Sequence, residues 1–202
     1  MCEHDPVSRK TILILVALGA AAAGFTFSTA AKRLQGEEPA AEASVAASPQ
    51  SVSLDWRETH GVSGEQLVFS VESLQVTSDG WRVSLALENR SSVAYELGDP
   101  RTTLNRSFGL RLFSTGSLDE VEERMADGTL PAVRSAVRYT PSLPAILEPD
   151  ASWRGTISAP GALSAGSWVR VVFGTLVSAG NPPEELGENV VWITDSAYRL
   201  RS

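Results

Sequence analysis

Few side chains in this sequence of 202 residues could carry out catalysis or bind a metal ion. Its only histidines are His4 and His60, its one cysteine is Cys2, and Met125 is the one methionine after the first residue. A nucleophilic triad would have to use His60, but the sequence that starts there, His-Gly-Val-Ser-Gly, differs from the Gly-x-Ser-x-Gly nucleophile elbow. Zinc sites take about four His or Cys ligands, and copper sites often use several methionines. We therefore predict no catalytic residue, no metal and no cofactor, and we expect His60 to lie in an exposed turn.

A run of acidic residues is the one group that resembles a calcium site. It consists of Asp119, Glu120, Glu122, Glu123 and Asp127. Their spacing differs from the alternating Asp/Asn pattern of an EF-hand loop. Four of them fall in the first two turns of a predicted helix, where negative charge interacts favourably with the helix dipole. We therefore predict that they stabilise a helix and bind no ion.

Aromatic side chains could form a platform on which sugar rings stack. The five tryptophans are Trp56, Trp81, Trp153, Trp168 and Trp192. The alternation around Trp81 and Trp153 places both on the apolar side of predicted strands, which favours a core position over a glycan site. Trp56 precedes the first predicted strand, and we expect it to be exposed.

The charge of the chain argues against nucleic acid as a partner. The net charge is −7, and residues 55–202 hold 19 Asp or Glu and 13 Arg but no Lys, which gives −6. Binding to nucleic acid needs a clustered basic surface that contacts phosphates. Because Cys2 is the only cysteine, no disulfide can form within the chain, and the fold depends on its apolar core.

The longest apolar segment runs from Thr11 to Ala31 and contains 21 residues without a charge. As a helix with a rise of about 1.5 Å per residue, it would cross a hydrocarbon core about 30 Å thick. We predict a single transmembrane helix that acts as a signal anchor in the cell membrane. Residues 1–10 are then a cytoplasmic tail, and the long C-terminal part is extracytoplasmic.

Two other interpretations of this segment stay open. Arg9 and Lys10 in front of it, and the small residues that end at Ala30, also suit a signal peptide that is cleaved after Ala30. The length favours a retained anchor, since the apolar core of a signal peptide has only about 7–15 residues. The sequence from Ser8 to Leu13 also resembles a twin-arginine export signal in which Lys10 replaces the second arginine.

The chain past the apolar segment divides into a linker and one domain. Residues Lys32 to Leu54 are rich in Ala, Ser, Glu and Pro, which predicts a flexible, disordered linker. Past Asp55, short alternating runs are separated by turn residues, which is typical of an antiparallel β-sandwich. The predicted parts of the chain are therefore 1–10, 11–31, 32–54 and 55–202.

The alternation predicts about eight strands. In the clearest one, Trp81–Leu87, odd-numbered residues face inward and even-numbered residues face outward. A phase slip near Ser73 predicts a bulge. The run Val133–Tyr139 precedes prolines and is expected at a sheet edge, whereas the nearly continuous apolar run Trp168–Thr175 predicts a central strand. Val190–Thr194 is the last predicted strand.

One short helix is predicted between two strands. Ser117 and Glu120 form a capping box, apolar residues then recur at helical spacing, and Gly128 supplies a stop. We therefore predict a helix from Leu118 to Ala126. The expected fold class is mainly β, an antiparallel sandwich with one short helical insert.

Four short motifs carry a resemblance to a known family. They are Leu-Glu-Asn ending at Asn89, Leu-Glu-Pro-Asp at 147–150, Gly-Thr-Ile at 155–157 and Ala-Pro at 159–160. In this order, over about residues 60–195, they resemble the uncharacterised immunoglobulin-like extracellular domains that bacteria attach to a signal anchor or a lipobox. The resemblance implies an immunoglobulin-like sandwich in the cell envelope, and it implies no settled activity and no catalytic residues.

The sequence departs from this family at Asp150, where the family often has glycine. The resemblance also implies a bacterial chain. The two sequons for N-glycosylation, which start at Asn89 and Asn105, are therefore interpreted as chance matches.

These features predict a membrane-anchored, extracytoplasmic immunoglobulin-like module for protein binding or scaffolding, which is not an enzyme. Its expected partners are the membrane, through Thr11 to Ala31, and a protein of unknown identity. The alternative is a secreted domain that binds a small ligand or glycan after release at Ala30, and a glycosidase-like carboxylate pair comes third. Sheet edges and the loop from Ser114 to Pro131 are the places where we expect contact with a partner.

Overall fold

Alternating apolar and polar residues build two antiparallel sheets in the computed structural model, which describes residues 45–62, 64–97 and 108–202. The fold of these residues is mainly β, as predicted, with twelve strands and one helix. In chain order the elements are β1 (Gln50–His60), β2 (Leu67–Val76), β3 (Gly80–Asn89), β4 (Tyr95–Leu97), β5 (Gly109–Phe113), α1 (Leu118–Ala126), β6 (Arg134–Ser135), β7 (Arg138–Thr140), β8 (Ile146–Leu147), β9 (Ser152–Pro160), β10 (Trp168–Ser178), β11 (Asn189–Ile193) and β12 (Tyr198–Arg199).

Several predicted features lie outside the described residues. They are the tail at 1–10, the apolar segment Thr11–Ala31, most of the linker and the sequon at Asn105. The described part of the chain contains no helix with the length and apolar character needed to cross a bilayer. All described residues belong to one unit, which runs from Glu42 to Ser202.

The first sheet has five strands in the order β1-β2-β3-β9-β7. Trp81 and the other odd-numbered residues of the Trp81–Leu87 run are buried in the core, which confirms the predicted inward face. Arg82 on the opposite face is exposed, but Ala86 on that face is buried, so the outer face is partly covered there. A shift in register between Val71 and Ser73 confirms the predicted bulge.

The second sheet has seven strands and is organised around β10. This strand pairs with β4, β5, β11 and β12, all antiparallel, which confirms the central position predicted for Trp168–Thr175. The predicted last strand at Val190–Thr194 corresponds to β11, and the short β12 follows it. Thr194 lies just past β11, where its hydroxyl accepts a hydrogen bond from the Val171 amide at 3.0 Å.

Side chains from both sheets form one hydrophobic cluster. Phe69 of the first sheet meets Phe173 of the second edge to face, with ring centroids 5.1 Å apart, and stacks on Trp192 at 4.9 Å. Gly174 leaves room for Phe108, since a Cβ at Gly174 would come within 2.5 Å of that ring. The close packing of aromatic rings therefore requires glycine at this point of β10.

Strand β1 corrects the predicted boundary between linker and domain. It begins at Gln50, so residues 50–54 belong to a strand, and Ala47 before it is buried in the core. Trp56, which was expected to be exposed, is half-buried and packs against the core. His60 is the last residue of β1 and does not lie in an exposed turn. The alternation Val52, Leu54, Trp56 is a strand pattern whose start merges with the Ala- and Ser-rich stretch before it.

A bulge interrupts β1 on the outer edge of the first sheet. The register of β1 against β2 shifts between Ser53 and Trp56. Asp55 lies inside this bulge with a positive φ of 49°, and its carboxylate accepts a hydrogen bond from the Ser53 hydroxyl at 2.8 Å. Aspartate tolerates this left-handed conformation better than most residues, because its short side chain can bond locally.

The run Val133–Tyr139, predicted as one edge strand, forms two strands in different sheets. β6 lies at one edge of the second sheet, and β7 lies at one edge of the first. The chain crosses between them at Ala136, whose amide donates to the Phe108 carbonyl at 2.8 Å, while the Val137 amide donates to Ser158 of β9 at 2.9 Å. The edge position is confirmed, and the continuity of the strand is wrong.

Helix α1 has the predicted bounds, Leu118–Ala126. Ser117 is its N-cap, and its hydroxyl accepts a hydrogen bond from the Glu120 amide at 3.3 Å. The Glu120 carboxylate bonds to the Thr115 hydroxyl, so only one half of the predicted capping box forms. Gly128 past the helix has a φ of 69°, as a stop residue requires.

A buried amide connects the end of β3 in the first sheet to the end of β8 in the second. The Asn89 side chain, which is fully buried, donates to the carbonyls of Val93, Leu147 and Glu148 at 2.8, 3.0 and 3.1 Å. Its Oδ1 accepts from the backbone amide and the hydroxyl of Ser91 at 3.1 and 2.7 Å. We call this set of bonds the Asn89 junction. The buried amide is inaccessible to a glycan in the folded chain, in line with a chance sequon.

The turn beside the Asn89 junction holds Asp150 in the left-handed region, with a φ of 59°. Glycine has no steric penalty in that region, which gives a physical reason for the glycine that the resembled family often has there. Burial at the same end of the fold also raises the pKa of Tyr95, since desolvation disfavours the phenolate.

We expect Asn89→Ala to lower the free energy of unfolding by about 2–4 kcal/mol, because this buried side chain makes five hydrogen bonds, three of them buried, that are then lost. Urea denaturation followed by tryptophan fluorescence measures this change. The matched control is Asn189→Ala at an exposed position of β11, which should change stability by less than about 0.5 kcal/mol. Equal effects of the two variants would contradict the structural role of the Asn89 junction.

A second prediction concerns the backbone at Asp150. We expect Asp150→Gly to be as stable as the native chain or more so, whereas Asp150→Val should lose about 1–2 kcal/mol, since a β-branched residue is strained at positive φ. Glu148→Val, an exposed position in the same turn, is the control for added apolar surface. Thermal unfolding of the three variants checks the order, and a Val variant at least as stable as the Gly variant would refute it.

Candidate functional site

An open groove of about 570 Å³ lies at one end of the first sheet. We call it the arginine groove and define it by Gln75, Arg82, Val137, Arg138 and Ser158. A smaller recess of about 260 Å³, lined by hydroxyl groups and the same two arginines, lies beside it. The groove therefore combines positive charge with hydrogen-bonding side chains.

The strand register places the two arginines on either side of one serine. Ser158 of β9 is the Cα partner of Arg82 in β3 and of Arg138 in β7. Residues directly opposite each other on neighbouring strands project from the same face of a sheet. Since neighbouring strands lie about 4.8 Å apart, the Cα atoms of Arg82 and Arg138 are about 10 Å apart. The two guanidinium groups can thus approach one ligand together.

A row of hydroxyl residues crosses the whole sheet beside the arginines. The residues are in register on five strands: Ser53, Ser73, Ser84, Thr156 and Thr140. The Ser84 and Thr156 hydroxyls lie 3.5 Å apart. Hydroxyls both donate and accept hydrogen bonds, so this row can contact the amides and carbonyls of a bound chain.

Neither groove arginine is paired with a carboxylate in the part of the chain that the structure describes. Arg82 lies 3.5 Å from the Gln75 amide oxygen, a weak contact. By contrast, Arg57 is held by Glu65, and the hydrogen bond between them lowers the pKa of Glu65 and raises the pKa of Arg57. Two adjacent cations on an otherwise acidic domain form a local positive patch.

Two exposed guanidinium groups beside several hydroxyls suit an anion. Arginine presents a rigid fork of donors that matches a carboxylate. Asp79 is the acidic residue that lines the groove, and its carboxylate accepts from the Thr77 hydroxyl at 2.7 Å. The groove therefore offers hydrogen-bond donors whose geometry fits a carboxylate-like group.

The predicted contact loop Ser114–Pro131 contains α1, which packs on the outer face of the second sheet. Val121 of α1 is buried, and Arg124 lies over the Phe113 ring of β5 at 5.5 Å. Glu122 forms an ion pair with Arg170 of β10, which is 1% exposed. The acidic run therefore includes a structural partner for a buried charge. Among the described residues no group of three or more His, Cys, Asp or Glu side chains could hold a metal ion.

Two arginines face each other beneath this helix. Arg111 and Arg170 are cross-strand partners, and both are buried. Burial lowers the pKa of Arg111, because desolvation disfavours its charged form, and its guanidinium donates to the Pro131 carbonyl. Like charges opposite each other repel, so Glu122 offsets an unfavourable pair.

The other residues singled out in the sequence have packing roles. His60 lies 5.5 Å from the Trp192 ring centroid, and the Trp192 indole donates to Glu58 at 2.7 Å. Trp81 and Trp153 are in the core, as predicted. All five tryptophans lie within the described residues and none of them is exposed. Met125 is half-buried on α1.

Sequence reasoning missed the arginine groove. The outward positions of Arg82 and Ser158 follow from the alternation, but the place of Arg138 beside them depends on the change of sheet at Ala136. The only sequence signal for the groove was the predicted outward position of Arg82 on one strand and of Ser158 on another.

Comparison with family models, curated proteins and solved structures gave no match for this chain.

We expect Glu122→Ala to destabilise the chain by about 2 kcal/mol, because it leaves the Arg170 guanidinium buried without its carboxylate. Glu123→Ala, an exposed position on the same helix, is the matched control and should change stability by less than about 0.5 kcal/mol. Adding Arg170→Met to Glu122→Ala should restore part of the loss, since the unpaired charge is then removed. Chemical denaturation of the four chains measures these differences, and equal losses for the two glutamate variants would show that the ion pair is unimportant.

Proposed function

We propose that this chain is a membrane-anchored, extracytoplasmic immunoglobulin-like module that binds a protein partner and catalyses no reaction. The apolar segment Thr11–Ala31 serves as the anchor, and residues from about 45 onward form the binding domain. The arginine groove is the observation that carries the proposal. It offers two exposed arginines, Arg82 and Arg138, that the described fold leaves without carboxylate partners.

An immunoglobulin-like sandwich is supported by the way the two sheets share their core. Phe69 and Phe173 bring the sheets into contact, and all strand pairs are antiparallel. The Asn89 junction joins two of the motifs that carry the family resemblance, 87–89 and 147–150. In such modules the outer faces, edges and loops are available for partners.

A protein partner is favoured over a glycan by the side chains that line the groove. Glycan sites often rely on an aromatic ring that stacks on the sugar. Trp81, the tryptophan in the groove wall, is only 3% exposed, and its ring belongs to the core. The exposed surface offers guanidinium and hydroxyl groups, which match the charged and amide groups of a polypeptide.

The location is tested with two single-cysteine chains in spheroplasts of a bacterial host. The native chain carries only Cys2, and the second chain combines Cys2→Ser with S158C, which places the thiol in the groove. We expect a membrane-impermeant maleimide to label the S158C chain in intact spheroplasts, and to label the native chain only after detergent is added. Both full-length chains should remain in the membrane pellet after a carbonate wash.

Three outcomes would contradict this proposal. Labelling of Cys2 but not of S158C in intact spheroplasts would reverse the topology. Recovery of the full-length chain in the soluble cytoplasm would exclude the anchor. A mature soluble chain that begins at Ala31 would favour the alternative of a secreted domain.

A further inference from the structure

We infer that the arginine groove binds an extended acidic segment of a polypeptide, with two carboxylates that bond to Arg82 and Arg138. This inference rests on the proposed function, since it takes the partner to be a protein, and it adds the chemistry by which that partner is recognised. The site uses the outer face of the first sheet, away from the core and from α1.

The charge distribution is the first argument. Residues 55–202 carry 19 acidic residues and 13 arginines, so carboxylates outnumber arginines in the domain. Arg57, Arg90, Arg154 and Arg170 are all paired with glutamates. Arg82 and Arg138 lie side by side across Ser158 with no such partner in the described chain. An arginine pair left open in an acidic domain matches a ligand that supplies the carboxylates itself.

The spacing of the arginines is the second argument. Side chains at positions i and i+2 of an extended segment project to the same side and lie about 7 Å apart. The Cα atoms of the two arginines are about 10 Å apart, and their long flexible side chains can close the difference. An acidic residue at every second position of an extended chain therefore fits the pair, whereas carboxylates on adjacent residues would point to opposite sides.

The floor and rim of the groove are the third argument. Ser158, Thr156 and Thr140 offer hydroxyls between and beside the arginines, which can bond the backbone amides and carbonyls of the segment. Val137 at the rim is 56% exposed and can contact an apolar neighbour of the acidic residues. No aromatic ring is exposed in the lining, so a stacked sugar has little to contact.

The test measures binding of a fluorescein-labelled octapeptide of alternating glutamate and serine to the full-length chain in non-ionic detergent, by fluorescence anisotropy at low ionic strength. We expect saturable binding that is lost when glutamine replaces glutamate in the peptide. R82Q and R138Q should each weaken binding by about tenfold, and the double variant should abolish it. R154Q is the matched control, since Arg154 lies on the same strand as Ser158 and is 74% exposed, and it should change the affinity by less than about twofold.

A second measurement uses the thiol at the groove. The chain with Cys2→Ser and S158C, once modified by a bulky maleimide, should no longer bind the peptide. An unchanged urea midpoint for each variant establishes that the fold is intact, and Arg82, Arg138, Arg154 and Ser158 are on the surface or half-buried.

Several results would overturn the inference. The first is equal binding of the glutamine peptide, and the second is unchanged affinity in the R82Q/R138Q double variant. The third is binding of oligogalacturonate through the arginines with no binding of the peptide, and this result would identify an acidic glycan as the ligand. If the peptide does not bind but S158C is labelled normally in spheroplasts, only the inference that the groove binds an acidic segment is refuted. If S158C is not labelled in intact spheroplasts, the proposed extracytoplasmic location is refuted, whether or not the peptide binds.

Discussion

One buried amide, the side chain of Asn89, fixes how the two sheets meet at one end of the fold. A polar group without contact to water must find partners inside the protein, and Asn89 bonds both to the turn that follows it, at Ser91 and Val93, and to the distant residues Leu147 and Glu148. The bonds set where β3 ends and where the chain turns after β8. Two of the four short motifs, 87–89 and 147–150, meet there.

Local structure could be predicted where one residue pattern decides it. The helix Leu118–Ala126 was predicted with its bounds because its cap and its stop are local signals, and Trp81–Leu87 because it alternates without interruption. β1 was missed for the opposite reason. Its first residues follow directly on an Ala- and Ser-rich stretch, and Glu58 takes an inward position where an apolar residue would be expected.

The candidate site depends on register, which a single sequence does not encode. Arg82 and Ser158 are 76 positions apart, and only the pairing of β3 with β9 places them side by side. Arg138 lies beside them because the chain crosses from the second sheet to the first at Ala136. The sequence pattern does not reveal this crossing, because Val133–Tyr139 has the pattern of one continuous strand. The chemistry of each residue was visible in the sequence, whereas their common position comes from tertiary contacts.

The bulge around Asp55 affects how copies of this chain can meet along the edge of the first sheet. β1 is eleven residues long and lies at the end of its sheet, where regular backbone groups could recruit a strand from a neighbouring molecule. The left-handed turn at Asp55 and its charge interrupt that edge near its middle. A neighbouring molecule therefore finds no long, straight ladder to extend, which opposes the growth of copies of this chain into fibrils.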